Sequence, residues 1–343
     1  MALLWTDGFE GYGDTDGQAV ADALARRYTV VGTHAVKDDG RFGGWSLQPN
    51  AKNYTLTTPS LTVDDTLIVC FALKFPNYID RIQSWFCDLF SSGTVGMRIG
   101  ADADGALRVY LAGVELKRSA PSVVNTKRWH WLEFKVVCNN TTGSYELKVD
   151  GTSVLFDSGV DTQSNLAYYD QVMLSGVDRS SSETPRFDDL FIMDSTGVDH
   201  NNFIGQRRIV AIVPDGDTAT VNWTVSGGAN HWELVDDLDP DDDTNYVEDT
   251  VNTNQDRWTY EALADIDNID SLCLITDVRV TDANTYDLIT VVKSGGVEYP
   301  VNAGTIIVNT YAMHDRLMLV DPDTSVAWTQ GGVNAVEMGV EVG

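Results

Sequence analysis

Residues 127–157 read KRWHWLEFKVVCNNTTGSYELKVDGTSVLFD, and their period of two decides the fold. In an extended chain His130, Leu132, Phe134, Val136 and Cys138 fall on one face, and Trp129, Trp131, Glu133, Lys135 and Val137 on the other. The run GSYELKVDGTSVLF then supplies two strands joined at Asp150-Gly151, a dipeptide that tight hairpins favour because both central positions take positive φ. Three successive antiparallel strands follow from this stretch alone.

Upstream, strand patterns are expected over 67–75, 85–90, 95–99 and 107–114, with a hairpin turn at Asp102, Asp104 and Gly105. One helix is expected over 18–28, with Asp16 as its N-cap and Val20, Leu24 and Tyr28 on one side. Downstream, 171–176 reads as a strand, and 184–199, TPRFDDLFIMDSTGVD, as another that closes in turn chemistry at Ser195-Thr196-Gly197. Because adjacent strand residues face opposite sides, Asp188 and Asp189 are expected on opposite faces, one of them bonded to backbone or to Arg186, and unable to serve together as an acid and base pair. About nine short strands and one helix make an antiparallel two-sheet sandwich.

A polar linker at 201–205 separates this half from a second, more acidic one. There the strand patterns cover 208–213, 219–225, 257–263, 271–280, 286–292, 297–301 and 305–313. The expected architecture is all-β, with two antiparallel β-sandwich, jelly-roll-like domains, 1–204 and 205–343, and one short N-terminal helix. The second domain is expected to serve assembly or docking.

Composition narrows the function classes. Of 343 residues, 51 are Asp or Glu against 23 Lys or Arg, a formal net charge of −28 that repels phosphate backbones and argues against a nucleic-acid partner. Such acidity suits solubility in salt or at high local density, or a basic partner. No stretch reaches the roughly eighteen apolar residues of a membrane span, so membrane insertion is not expected; the longest apolar run, 66–75, is broken by Lys74. Nor does the start carry the charged and apolar segments of a signal peptide, and synthesis in a cytoplasm is expected. The four cysteines, Cys70, Cys87, Cys138 and Cys273, lack metal-ligand spacing and read as buried reduced thiols.

Chemistry-bearing strings are few. Counting from Asp237, the acidic loop places Asp239 and Asp241 at positions three and five and Glu248 at twelve, the pattern of a calcium loop. Asp242 stands where that loop needs glycine and no helices flank it, so a solvated acidic connection is the plainer reading, and no other cofactor is indicated. The histidines are scattered, and His130 reads as a packing residue. No Glu-x-Asp-x-x-Glu strand, Gly-x-Ser-x-Gly elbow, HExxH helix or phosphate-cradling loop occurs. Nine tryptophans supply faces on which sugars stack. Trp129 and Trp131 share a face with Glu133 and Lys135, a surface suited to a glycan or equally to a sheet interior or subunit interface, and Trp45 lies in the glycine-rich turn RFGGWSL.

The tryptophan-rich strand followed by YELKVDG resembles the concanavalin A-like or laminin G-like jelly roll. With the opening LLWTDGFEGYG, the closing FDDLFIMDSTG and the tail's DPDT turn and WT pair, the chain resembles virion structural proteins of tailed bacteriophages. The resemblance implies a non-enzymatic virion component, a tail fibre or tail-associated adhesin that touches host-surface carbohydrate. Its partners would be other virion proteins and further copies of itself in a homo-oligomer. The alternatives are a capsid decoration protein and, from another class, a polysaccharide-degrading glycanase with an unfamiliar carboxylate pair.

Overall fold

The structure, a computed structural model, describes residues 2–13, 16–77, 84–177, 184–239, 241–306 and 309–343. Regular structure is nearly all strand, 47% of residues against 4% helix, which agrees with the all-β reading. The chain divides into two compact units, 1–210 and 211–343.

Among the described residues the first unit carries two antiparallel sheets, of nine and seven strands. The larger runs Thr152–Val160, Gly143–Val149, Trp129–Val137, Thr66–Lys74, Arg186–Met193, Ser46–Pro49, His34–Lys37 and Asp16–Gly17, with Leu3–Asp7 also paired to Arg186–Met193. The smaller runs Val114–Arg118, Leu107–Leu111, Thr94–Ala101, Ser84–Ser91, Gln171–Ser175, Thr55–Thr57 and Thr29–Val31. The hairpin at Asp150-Gly151 forms with φ 51° and 81°, as its dipeptide requires. His130 is buried, its Nδ1 2.9 Å from Asp150 and its Nε2 accepting the Asn125 amide, so its role is packing.

Alternation sorts the side chains of the central strands. Leu132, Phe134 and Val136 pair across with Phe71, Val69 and Leu67 on the face toward the smaller sheet, where Phe86 meets Phe71 and Phe75 edge-on at 6.3 and 5.9 Å. Burying each such ring contributes about 2 kcal/mol. The opposite face of the larger sheet carries Cys70, Ala72, Trp131, Glu133 and Phe191. That face is covered as well, which is why Thr66–Lys74 is apolar without alternation.

Its cover is the segment expected to be a free linker. Asn202 accepts from Lys135, Lys148 lies 3.9 Å over the ring of Phe203, the Gly205 amide donates to buried Glu133 at 2.8 Å, and the Ile209 amide donates to Asp189 at 2.7 Å. The boundary therefore moves from 204 to 210, and 208–213 is not a strand. Two further expectations change. The helix spans Gln18–Leu24 and follows Gly17 (φ 89°) without a side-chain cap, so Asp16 is not its N-cap; Asp16–Gly17 instead pairs with His34–Lys37. The expected strand 107–114 turns at Ala112-Gly113 into a hairpin of Leu107–Leu111 and Val114–Arg118. Cys70, Cys87 and Cys138 are buried free thiols, whereas Cys273 is only half-buried.

The second unit is built on a five-stranded antiparallel sheet, Pro214–Val221, Gln255–Tyr260, Glu337–Val342, Tyr286–Ser294 and Val297–Ile306. The ribbon Leu272–Val278 with Ala312–Met318 packs on it through Leu274 and Met318 against Val292, Trp328, Val336 and Met338. In the tail, Trp328 is the buried anchor, donating from Nε1 to the Met318 carbonyl, and Thr329 caps the short turn Gln330–Val333. The expected strand 305–313 is not continuous: Val297–Ile306 ends before it and Ala312–Met318 begins within it, with 307–308 outside the described residues.

Candidate functional site

Five strands of the larger sheet end together beneath the loop 38–45. Lys74 closes one strand and Lys37 another, while Trp129, Arg186 and Ser46 open theirs. The loop holds itself through the Gly40 amide on the Gly44 carbonyl, with Gly43 and Gly44 at φ 86° and 81°. Gly44 is doubly constrained, because a Cβ there would stand 2.6 Å from Glu10 Oε1.

On one side of the loop Asp39 gathers the strand ends. It accepts from Lys74 at 2.7 Å and from Ser46 at 3.2 Å, and forms an ion pair with Arg186. Burial pushes its carboxyl up, but the Lys74 hydrogen bond and the Arg186 charge outweigh that and hold it below the usual range. Its carbonyl accepts from Trp129 Nε1 at 3.3 Å, and Lys74 Nζ sits 5.5 Å over the Trp129 ring. Trp129 is half-buried, its ring held by these two contacts.

On the other side lie the carboxylates. Asp188 pairs across with Ala72 and Phe191 with Cys70, so two residues, Asp189 and Leu190, oppose the single Phe71 of the neighbouring strand. Asp189, in this bulge, takes φ 52°. The irregularity overturns the expected opposite facing, because both carboxylates engage Arg41. Asp188 Oδ2 accepts the Arg41 backbone amide at 2.7 Å, and Asp189 Oδ2 lies 3.5 Å from its guanidinium. Neither bonds Arg186. Burial pushes both carboxyls up, Asp188 further because the Asp189 charge adds to it, whereas Asp189 is relieved by the Ile209 amide and by Arg41. Glu10, which accepts the Trp45 amide at 3.0 Å, is pushed up to about 7, mainly by burial.

The tryptophans of this region differ in what they offer. Trp131 is completely buried beside Phe191, with the Arg41 guanidinium 4.9 Å over its ring. It therefore presents no face to a sugar, because loop 38–45 and segment 201–210 cover the sheet there. Trp45 is half-buried. Phe42, not singled out from the sequence, is 58% exposed and stacked by Arg41 at 4.6 Å and Arg208 at 5.9 Å. Its signal was the RFGGW turn itself, in which an aromatic at the tip of a glycine-rich loop has no core to enter.

Among the described residues no group of three or more His, Cys, Asp or Glu is arranged to hold a metal ion. Burial, then the like charges of Asp241, Asp236 and Asp239, push Asp237 up; Asp241 accepts from Asn245, and Glu248 sits in the short ribbon Val247–Glu248 with Thr224–Val225. Asp102 and Asp104 are tied to Arg108 and Arg118 around their hairpin.

No protein-family model matches the chain, and no curated protein matches it. Solved structures of similar fold include an alginate lyase from Chlorella virus (9% identity, TM-score 0.39, covering 52% of this chain and 98% of that one). They also include the cellulose-induced protein Cip1 (16%, 0.40, 55% and 96%) and an endo-β-1,4-glucuronan lyase from the fungus Trichoderma reesei (14%, 0.33, 48% and 87%). Likeness at this level concerns strand arrangement and transfers neither ligand nor activity. It does correct one expectation: enzymes are among the structures this chain is similar to, so the lack of familiar catalytic strings does not make it non-enzymatic, and that assignment is withdrawn.

Proposed function

We propose that the chain is a tailed-phage virion component whose first unit contacts host-surface carbohydrate at the rim around loop 38–45. The observation that carries the carbohydrate reading is the grouping of Phe42, Trp45 and Trp129, open or half-open, about a loop braced by the Asp39, Lys74 and Arg186 ion pairs. Aromatic faces beside fixed polar groups are what a sugar ring needs, one for its C–H face and the other for its hydroxyls. A host-surface glycan array tests it: the chain is retained, and Phe42→Ala and Trp129→Ala each lower affinity about tenfold. Retention on no glycan overturns the reading. The virion assignment rests on the sequence resemblance; gold-labelled antibody on intact particles is expected to mark the tail, and label over the head would instead favour a decoration protein.

A second reading, a polysaccharide-cleaving enzyme, is favoured by Glu10, Asp188 and Asp189, whose carboxyls are all pushed up within one neighbourhood. It requires release of new chain ends from host polysaccharide that Glu10→Gln abolishes. No metal is invoked: chelation with EDTA is expected to leave the melting temperature unchanged, and a fall would restore calcium to Asp237, Asp239, Asp241 and Glu248.

A further inference from the structure

Arg208 stands apart from the other basic residues of this rim. Arg41 is paired with Asp189, Lys74 and Arg186 with Asp39, and Arg128 lies 3.8 Å from Asp150. Arg208 is exposed and, among the described residues, makes no ion pair. The carboxylate that feels its charge, Asp189, is 2% exposed and already occupied by the Ile209 amide and Arg41. The guanidinium instead lies 5.9 Å from the ring centroid of Phe42, an exposed cation beside an exposed aromatic face.

We propose that the saccharide taken at this rim is acidic, carrying a ring carboxylate that Arg208 receives while the sugar face rests on Phe42. This rests on the carbohydrate reading above and adds the substrate class. A planar guanidinium matches a carboxylate with two parallel hydrogen bonds, and a neutral hydroxymethyl group in the same place forfeits the charge-assisted pair. The chain's net charge of −28 opposes a polyanion at long range. At physiological salt that field is screened within about 8 Å, so contact chemistry at the rim sets the preference. The raised carboxyls beneath reduce local negative charge further, because burial favours the protonated forms of Glu10 and Asp188.

The test is calorimetric titration of the full chain with an oligouronide and with the same oligosaccharide after carboxyl reduction, both at physiological salt. The acidic form is expected to bind about tenfold tighter. Arg208→Gln is expected to bring the two affinities together, and Phe42→Ala to weaken both. Equal affinity for the two forms, or discrimination undiminished in Arg208→Gln, overturns the acidic-sugar assignment alone. Absence of binding by either form, with a neutral glycan retained on the array, likewise overturns it alone; retention on no glycan overturns it together with the carbohydrate reading.

Discussion

Asp7 shows how much one residue organises. Its Oδ2 accepts from the hydroxyls of Tyr12 and Tyr28, each at 2.6 Å, and from Arg27 at 2.8 Å, while Oδ1 accepts the Phe9 amide. Asp7→Ala would remove the buried carboxylate that Arg27, its side chain 2% exposed, shares with the Tyr12 and Tyr28 hydroxyls, at a cost of about 3–5 kcal/mol. Urea denaturation should show that loss, and an unchanged midpoint would contradict it. Glu10 gives a pH test. Its carboxyl is raised when folded, so the folded state holds a proton that the unfolded chain has released, and stability falls as pH rises from about 4 through about 7. Glu10→Gln should flatten the decline in melting temperature across that range; identical slopes would remove Glu10 as a cause. The string LLWTDGFEGYG was legible as a motif, but not its partners, which lie beyond the helix. Asp188 and Asp189 were misjudged because a bulge depends on register against the neighbouring strand, which period-two reading does not contain.

At the scale of elements, strands were the readable part and the cover was not. Alternation and turn dipeptides located most strands of the first sandwich within a few residues, since half-buried strands must alternate. The segment 201–210 has no period because much of its binding is through main-chain groups: the Gly205 and Ile209 amides and the Arg207 carbonyl, which accepts from Arg41 at 2.9 Å. Its polar composition therefore looked like a tether. A first unit ended at residue 204 would leave Glu133 and Asp189 buried without those donors, each lost partner costing about 1–3 kcal/mol. A unit ended at 210 is expected to melt higher than one ended at 204, as calorimetry can read directly. Equal melting temperatures would show that the segment is only a tether.

At the scale of the whole molecule, the second unit presents an exposed strand edge. Val297–Ile306 is an edge strand, with Val297 and Val301 half exposed, and an open edge of that length invites pairing with another chain. Light scattering is expected to give a multiple of the 37.6 kDa chain mass; the single-chain mass at particle-like concentration would refute a homo-oligomer. The charge of −28 is compatible with a crowded particle surface, where like-charged copies stay dispersed. The proposed carbohydrate contact lies at the end of the larger sheet, around loop 38–45. Amide hydrogen exchange on the full chain, with and without a saccharide retained in the glycan screen, tests it most directly. Slowed exchange confined to residues 38–46 and 127–131 and to the backbone around Arg208 is the predicted result. Protection elsewhere, with those segments exchanging as in the free protein, would contradict it.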